Sequence, residues 1–168
     1  MRNLHRIILI CLILFAGGAS AQTVKFGHID FQQLFSSMPE KETAQKNLDK
    51  VRTELENQSN AMQKEYTDKL KAYQDQQKTF SDAIRQTKED ELQSIAQRIQ
   101  NFQQQAQQNL QQEEAKQFQP VYEKARKAIA DVGKEQGLLY VFEVNGMLYH
   151  SDQSIDILAA VKTKLGIK

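Results

Sequence analysis

Few residues in this 168-residue chain are of types that do chemistry. His28 and His150 are the only histidines after His5. An imidazole pair can hold a metal or pass a proton. No carboxylate stands at motif spacing from them, so both are expected as strand residues facing solvent or a subunit boundary. Glu89, Asp90 and Glu91 are a run of carboxylates that could bind a cation, but a solvated helix start has the same look. Asp30 and Asp156 could form an acid–base pair, yet each stands where a helix cap or first-turn acid belongs. There is no nucleophile–base pattern, phosphate loop or metal motif. The chain therefore reads as a non-enzyme, with no catalytic residue, no metal site and no cofactor.

Charge and cysteine usage narrow the class further. Lys and Arg number 22 against 21 Asp and Glu, a balance that lacks the basic face of a nucleic-acid binder. One cysteine excludes an internal disulfide and a Cys-rich zinc site. Residues 1–21 read as a secretory signal peptide: Arg2, His5 and Arg6, then the apolar run Ile7 to Phe15, then Ala19-Ser20-Ala21 as the cleavage signal. Cys11 lies inside the apolar run, which argues against a lipoprotein. No later run is long enough to span a bilayer. The mature protein is therefore expected to be exported, without stable membrane insertion and without cross-links.

The elements that must position everything else are two long helices. No glycine occurs between Gly27 and Gly133, and residues 93–119 hold twelve Gln among apolar residues at helical spacing. Leu48, Val51, Leu55, Gln58 and Met62 step by 3, 4, 3, 4, as do Leu92, Ile95, Ile99, Phe102 and Ala106. That narrow seam is a coiled-coil pattern. Steps of 11 residues separate Met62 from Tyr73 and Leu110 from Val121, and read as stutters. Residues 37–136 are expected to form one antiparallel hairpin arm, reversing near 81–88. Partner numbers would then sum to about 170–175, and the two stutters would face each other. Ser37-Met38-Pro39-Glu40 reads as a capping box. Ser81, Asp82 or Thr87 could cap the return helix, and Gly137 could end it in the left-handed conformation. Pro120 should kink that helix near residue 116.

Residues 22–36 and 137–168 form the second region. Val24 to Ile29 and Leu138 to Glu143 read as strands. Asn145-Gly146 reads as a hairpin turn returning through Leu148, Tyr149 and His150. Ser154 or Asp152 would then cap a last helix, Ile155 to about Leu165. The fold class is α+β: a small β-sheet or barrel body carrying a long helical arm. Such a body is near the lower limit for independent folding and leaves open strand edges. Oligomerisation would bury its core candidates: Val24, Phe26, Ile29, Leu139, Val141, Phe142 and Leu148.

The order and lengths of these segments resemble the Skp/OmpH family of periplasmic chaperones. Val24-Lys25-Phe26-Gly27-His28-Ile29-Asp30 followed by Phe31-Gln32-Gln33-Leu34-Phe35 is similar to that family's first strand and short helix. The stretch from Gly137 through Asn145-Gly146 to Ser151, with Asp152 to Ile157, is similar to its last strand pair and C-terminal helix. The resemblance implies a homotrimer of "jellyfish" shape, with strands pooled into a barrel and three arms around a cavity. It implies ATP-independent holding of unfolded outer-membrane β-barrel proteins in the periplasm. The tip, Phe80 to Glu91, departs from the strongly basic tips of the family: Arg85 and Lys88 stand against Asp82, Glu89, Asp90 and Glu91. On that reading Tyr66, Leu70, Tyr73, Phe80, Ile84, Phe102 and Phe118 are candidates for client contact. For most of them the simpler assignment is the seam of the hairpin. The alternative function is a non-enzymatic envelope scaffold with one folded partner. A third, an amphipathic membrane binder, needs a wide apolar face with a basic rim, which this narrow seam lacks.

Overall fold

The structure is a computed structural model that describes residues 24–167. The expected signal peptide, 1–21, lies outside the described residues. Strand β1, Lys25–Ile29, leads into helix α1, Phe31–Ser37. Two long helices follow, α2 over Pro39–Gln76 and α3 over Asp82–Glu135. Strand β2 is Leu138–Glu143, then a 3-10 turn over Val144–Gly146, strand β3 over Ile155–Asp156, and helix α4 over Leu158–Leu165.

Each junction has a local cause. Asp30 caps α1 by accepting the Gln33 N–H at 2.8 Å. The expected capping box before α2 does not form. Ser37 is the last residue of α1, and its hydroxyl donates to the Leu34 carbonyl at 2.7 Å. Met38 stands at the N-cap of α2 without a side-chain bond, and Pro39 opens the helix. Gly137 adopts φ +66° just past α3, the left-handed turn expected there.

Cross-helix contacts run Glu40–Lys124, Asn47–Gln117, Glu65–Arg98, Lys69–Glu91 and Tyr73–Glu89. Numbers fall along α3 as they rise along α2, so the two helices lie side by side with opposite chain direction. The reversal occupies Gln77–Ser81 rather than 81–88, because Ser81, not Thr87, caps α3. Thr87 is inside the helix and bonds the Ala83 carbonyl. The register is therefore shifted from the expected one. The Met62–Tyr73 step faces the region of Glu89 to Arg98, and the Leu110–Val121 step faces that of Asn47, so the two stutters do not meet. Helix α3 continues as one element through Pro120, which has no N–H to give the Lys116 carbonyl.

The 38 residues of α2 and 54 of α3 are about 57 and 81 Å long at 1.5 Å per residue. The extra length of α3 is used in the body. Val121, Ala125, Ala128 and Val132 are buried in one cluster with Ile29, Leu34, Phe35, Met38, Ala44, Ile157 and Val161. The body core is thus completed by the base of the arm, including α3 far outside 137–168. Further out, only Leu48, Ile95 and Ile99 are buried, and they stand apart from that cluster.

The sheet has the order β2–β1–β3, and both pairings are parallel. The expected returning strand at Leu148–His150 is absent; its place is taken by Ile155–Asp156. The reason lies at the turn. The Glu143 carboxylate accepts the Asn145 side-chain amide at 2.9 Å and the Phe31 N–H at 2.9 Å. Asn145-Gly146 is thereby held in a local 3-10 turn against the start of α1, with no positive φ at Asn145. The chain then loops through Met147–Ser154 and re-enters parallel to β1, as a parallel pair requires. Helix α4 starts later than expected, at Leu158, whose N–H is accepted by Asp156.

Candidate functional site

One face of the sheet is packed by no helix among the described residues. Side chains alternate along a strand, so Gly27 and Ile29 face the helices while Phe26 and His28 face away. The register sets Phe26 beside Tyr140 and His28 beside Phe142. Phe26 lies 6.3 Å from both Tyr140 and Phe142, and Tyr140 lies 5.9 Å from Phe142, ring centre to ring centre. These rings are 42 %, 57 % and 44 % exposed. Val24, Leu139, Leu148 and Tyr149 are exposed beside them. A hollow of about 310 Å³ runs along this face between Phe26, Phe142, Met147 and Tyr149.

Of the seven expected core residues, the chain buries Ile29 and packs Val141 against the core. Val24, Phe26, Leu139, Phe142 and Leu148 are exposed in the single chain. Helices α3 and α4 cover one face of the three-stranded sheet; among the described residues only the Met147–Ser154 loop reaches the other.

The arm is the second surface. Its seam is one row deep, because two helices alone bury only a stripe. Tyr66, Leu70, Tyr73, Phe80 and Phe102 are half-buried and Ile84 is exposed. Gln58, expected on the seam, is exposed, and Gln117 lies within the seam, bonded to Asn47 at 3.1 Å. Leu55, Phe102, Ala106 and Leu110 line an open groove of about 340 Å³ at mid-arm, with Arg52 and Glu56 on its edge. A second hollow of about 240 Å³ lies near the tip, among Tyr73, Phe80, Leu92 and Lys69. Leu55, Ala106 and Leu110 were already visible as seam positions, but the groove was not.

Charges at the tip are used locally. Tyr73 donates its hydroxyl to Glu89, which raises the tyrosine's pKa above its ordinary value. Glu91 accepts from Lys69 and Lys88, and these bonds, Lys69 first, hold its pKa below the ordinary range. Asp90 accepts the Gln86 amide at 2.9 Å. Asp30 caps α1, and Asp156, one residue ahead of the N-cap Ile157, accepts the N–H of Leu158 at the start of α4. Among the described residues no group of three or more His, Cys, Asp or Glu is placed to hold a metal, and no helix is long and apolar enough to cross a membrane.

Phe118 stands at the base of the arm, on α3 next to the body. It packs 6.2 Å from Phe35, whose ring stacks on Tyr122 at 4.4 Å and lies 6.0 Å from Phe31. This aromatic knot ties α1 to α3 where the arm leaves the body. Phe31, Phe35 and Tyr122 escaped the sequence reading, because the knot joins residues about 90 positions apart and no local period announces it.

A long two-helix arm on a β-α-α body is a distinctive outline, and it has counterparts. A profile of the family described as outer membrane protein (OmpH-like) matches residues 25–165. The chain belongs to the OmpH-like family. Among solved structures it is similar to a protein of Caulobacter crescentus CB15 described as a "putative outer membrane chaperone (OmpH-like)", with 16% sequence identity and a TM-score of 0.74. The match covers 89% of this chain and 88% of that one, so the fold is shared nearly end to end. Comparison with curated proteins gave no match.

Proposed function

We infer that this OmpH-like protein is an ATP-independent holdase of the periplasm, which binds unfolded outer-membrane β-barrel proteins and keeps them from aggregating. In this reading the uncovered aromatic face, Phe26–Tyr140–Phe142, joins subunits into a homotrimer. The antiparallel coiled-coil arms then enclose a common space. The observation that carries the reading is the arm's seam: one row deep, half-buried along most of its length, and open at the groove of Leu55, Phe102, Ala106 and Leu110. Exposed apolar patches on a soluble chain mark binding surfaces. Shallow ones repeated on several arms favour weak, multivalent and broad capture over one tight partner. The family, whose solved relative is described as an outer membrane chaperone, supports the same reading.

The test is light scattering of an unfolded outer-membrane β-barrel protein diluted from urea, with and without this protein, with molar mass taken in the same run. Suppression near one trimer per client, without nucleotide, is the expected result. A folded oligomer that leaves aggregation unchanged would overturn the reading.

A further inference from the structure

The uncovered face of the sheet carries a feature that neither the fold nor the holdase reading uses. The rings of His28 and His150 are stacked, 4.2 Å apart between centres and 25° from parallel. His28 is 9% exposed and is the one buried polar or charged residue among those described. Its Nδ1 lies 2.8 Å from the Ser154 hydroxyl. His150 and Ser154 bracket the end of the Met147–Ser154 loop that delivers β3. That strand is two residues long, and β1 holds it through Gly27–Ile155 and His28–Asp156 pairing, with the Ile157 N–H donating to the His28 carbonyl at 3.1 Å. The stack therefore clasps the loop to β1 immediately ahead of the weakest strand in the sheet.

Nearly parallel rings send their nitrogen lone pairs side by side rather than toward a common point, so the pair is poorly arranged to share a metal. It is well arranged to respond to protons. Imidazole is the side chain that changes charge near neutrality. One cation stacked on a neutral ring is tolerated; two cations at this distance repel, and one of them is buried.

Among the described residues no charged group is placed to relieve that repulsion. Among the described residues neither ring forms an ion pair. On β1, Lys25 is exposed and the Asp30 carboxylate is engaged with the Gln33 N–H. On β2, Glu143 is engaged with Phe31 and Asn145. On β3, Asp156 accepts from Leu158, and in the loop Asp152 is exposed. The charged groups of the packed helices, among them Asp131, Lys134 and Glu135 of α3 and Lys162 and Lys164 of α4, belong to the elements on the opposite, Val141-bearing face.

We propose that the His28–His150 stack is a proton-operated latch on the Met147–Ser154 loop and β3. With at least one ring neutral the latch is closed. When both rings are protonated they separate, the loop leaves β1, and the uncovered aromatic face is remodelled along the edge that carries Met147 and Tyr149.

Protection of the Ile157 amide tests this on the purified protein, measured by NMR between pH 7.5 and 5 against the unstructured exchange rate at the same pH. It should fall at least about tenfold on acidification. In His150→Gln the protection should become flat with pH. Protection flat with pH in the parent overturns the latch, and so does the same fall in protection in His150→Gln. If that variant fails to fold, the parent's protection profile decides the matter unaided.

Discussion

Replacing Ile99 with alanine should open the arm while leaving the body closed. Ile99 and Ile95 are buried on α3, but neither belongs to the cluster that ends at Ala44 and Val121. The substitution removes three carbons from the seam. At about 0.8 kcal/mol per buried methylene that is roughly 2.4 kcal/mol. The arm is a single packed row, so the gap fills from solvent or closes, which keeps the cavity penalty near the low end of its usual range. Alanine is the better helix former, returning up to about 0.5 kcal/mol. The net is about 2 kcal/mol, or about thirtyfold in the opening equilibrium of the arm. Hydrogen exchange resolved by segment is the assay. Amides facing the seam over 60–75 and 90–105 should exchange about thirtyfold faster, whereas those over 121–132 and in β1 should keep their rates. Equal acceleration in arm and body would refute the separation of the two cores. An arm that changes by less than about threefold would refute the claim that its stability rests on so few side chains.

Other perturbations probe the body. Leu34→Ala, at a fully buried position in the body cluster, should cost about 3 kcal/mol and lower protection throughout the body, as urea unfolding will measure. Gly27→Ala should destabilise by about 1–3 kcal/mol in the same assay. A Cβ there would lie 2.6 Å from Leu138 Cδ1 and 3.3 Å from the Ile155 carbonyl oxygen, so the leucine must swing away and the β3 backbone must give by a few tenths of an ångström. Asp30→Ala should cost about 1 kcal/mol by removing the cap of α1. The Glu40 carboxyl is held below its ordinary value of 4.5, first by the Lys124 hydrogen bond and then by a backbone N–H. A lowered folded-state pKa gives stability that is present above about pH 4.5 and is lost as pH falls through the folded value. Melting temperatures between pH 5 and 3 should therefore drop more steeply for the parent than for Lys124→Met, and equal slopes would remove the pair's role.

The long helices were legible because their cause is local. Glycine is missing from Gly27 to Gly133, good helix formers fill the interval, and the apolar stripe repeats at helical spacing. The first two strands, the capping role of Asp30 and the left-handed Gly137 were legible for the same reason. Reading failed where two distant segments compete for one group. Glu40 was read as half of a capping box, but Lys124 takes its carboxylate. Asn145-Gly146 was read as a hairpin, but Glu143 and the start of α1 hold it as a 3-10 turn. The register of the arm slipped because Ser81 and Thr87 are equally plausible caps by sequence, and only Ser81 sits where the chain reverses.

By itself, then, the sequence determined the two long helices, the first two strands and the thinness of the arm's seam, since backbone propensity and side-chain period act over a few residues. The tertiary structure decided the parallel order of the sheet, the use of the arm's base as body core, the aromatic knot at Phe35 and Tyr122, and the stacking of His28 on His150. Each of these joins residues about 80 or more positions apart. Whether such groups meet depends on how whole elements pack, and packing answers to the burial of a face rather than to any short run of residues.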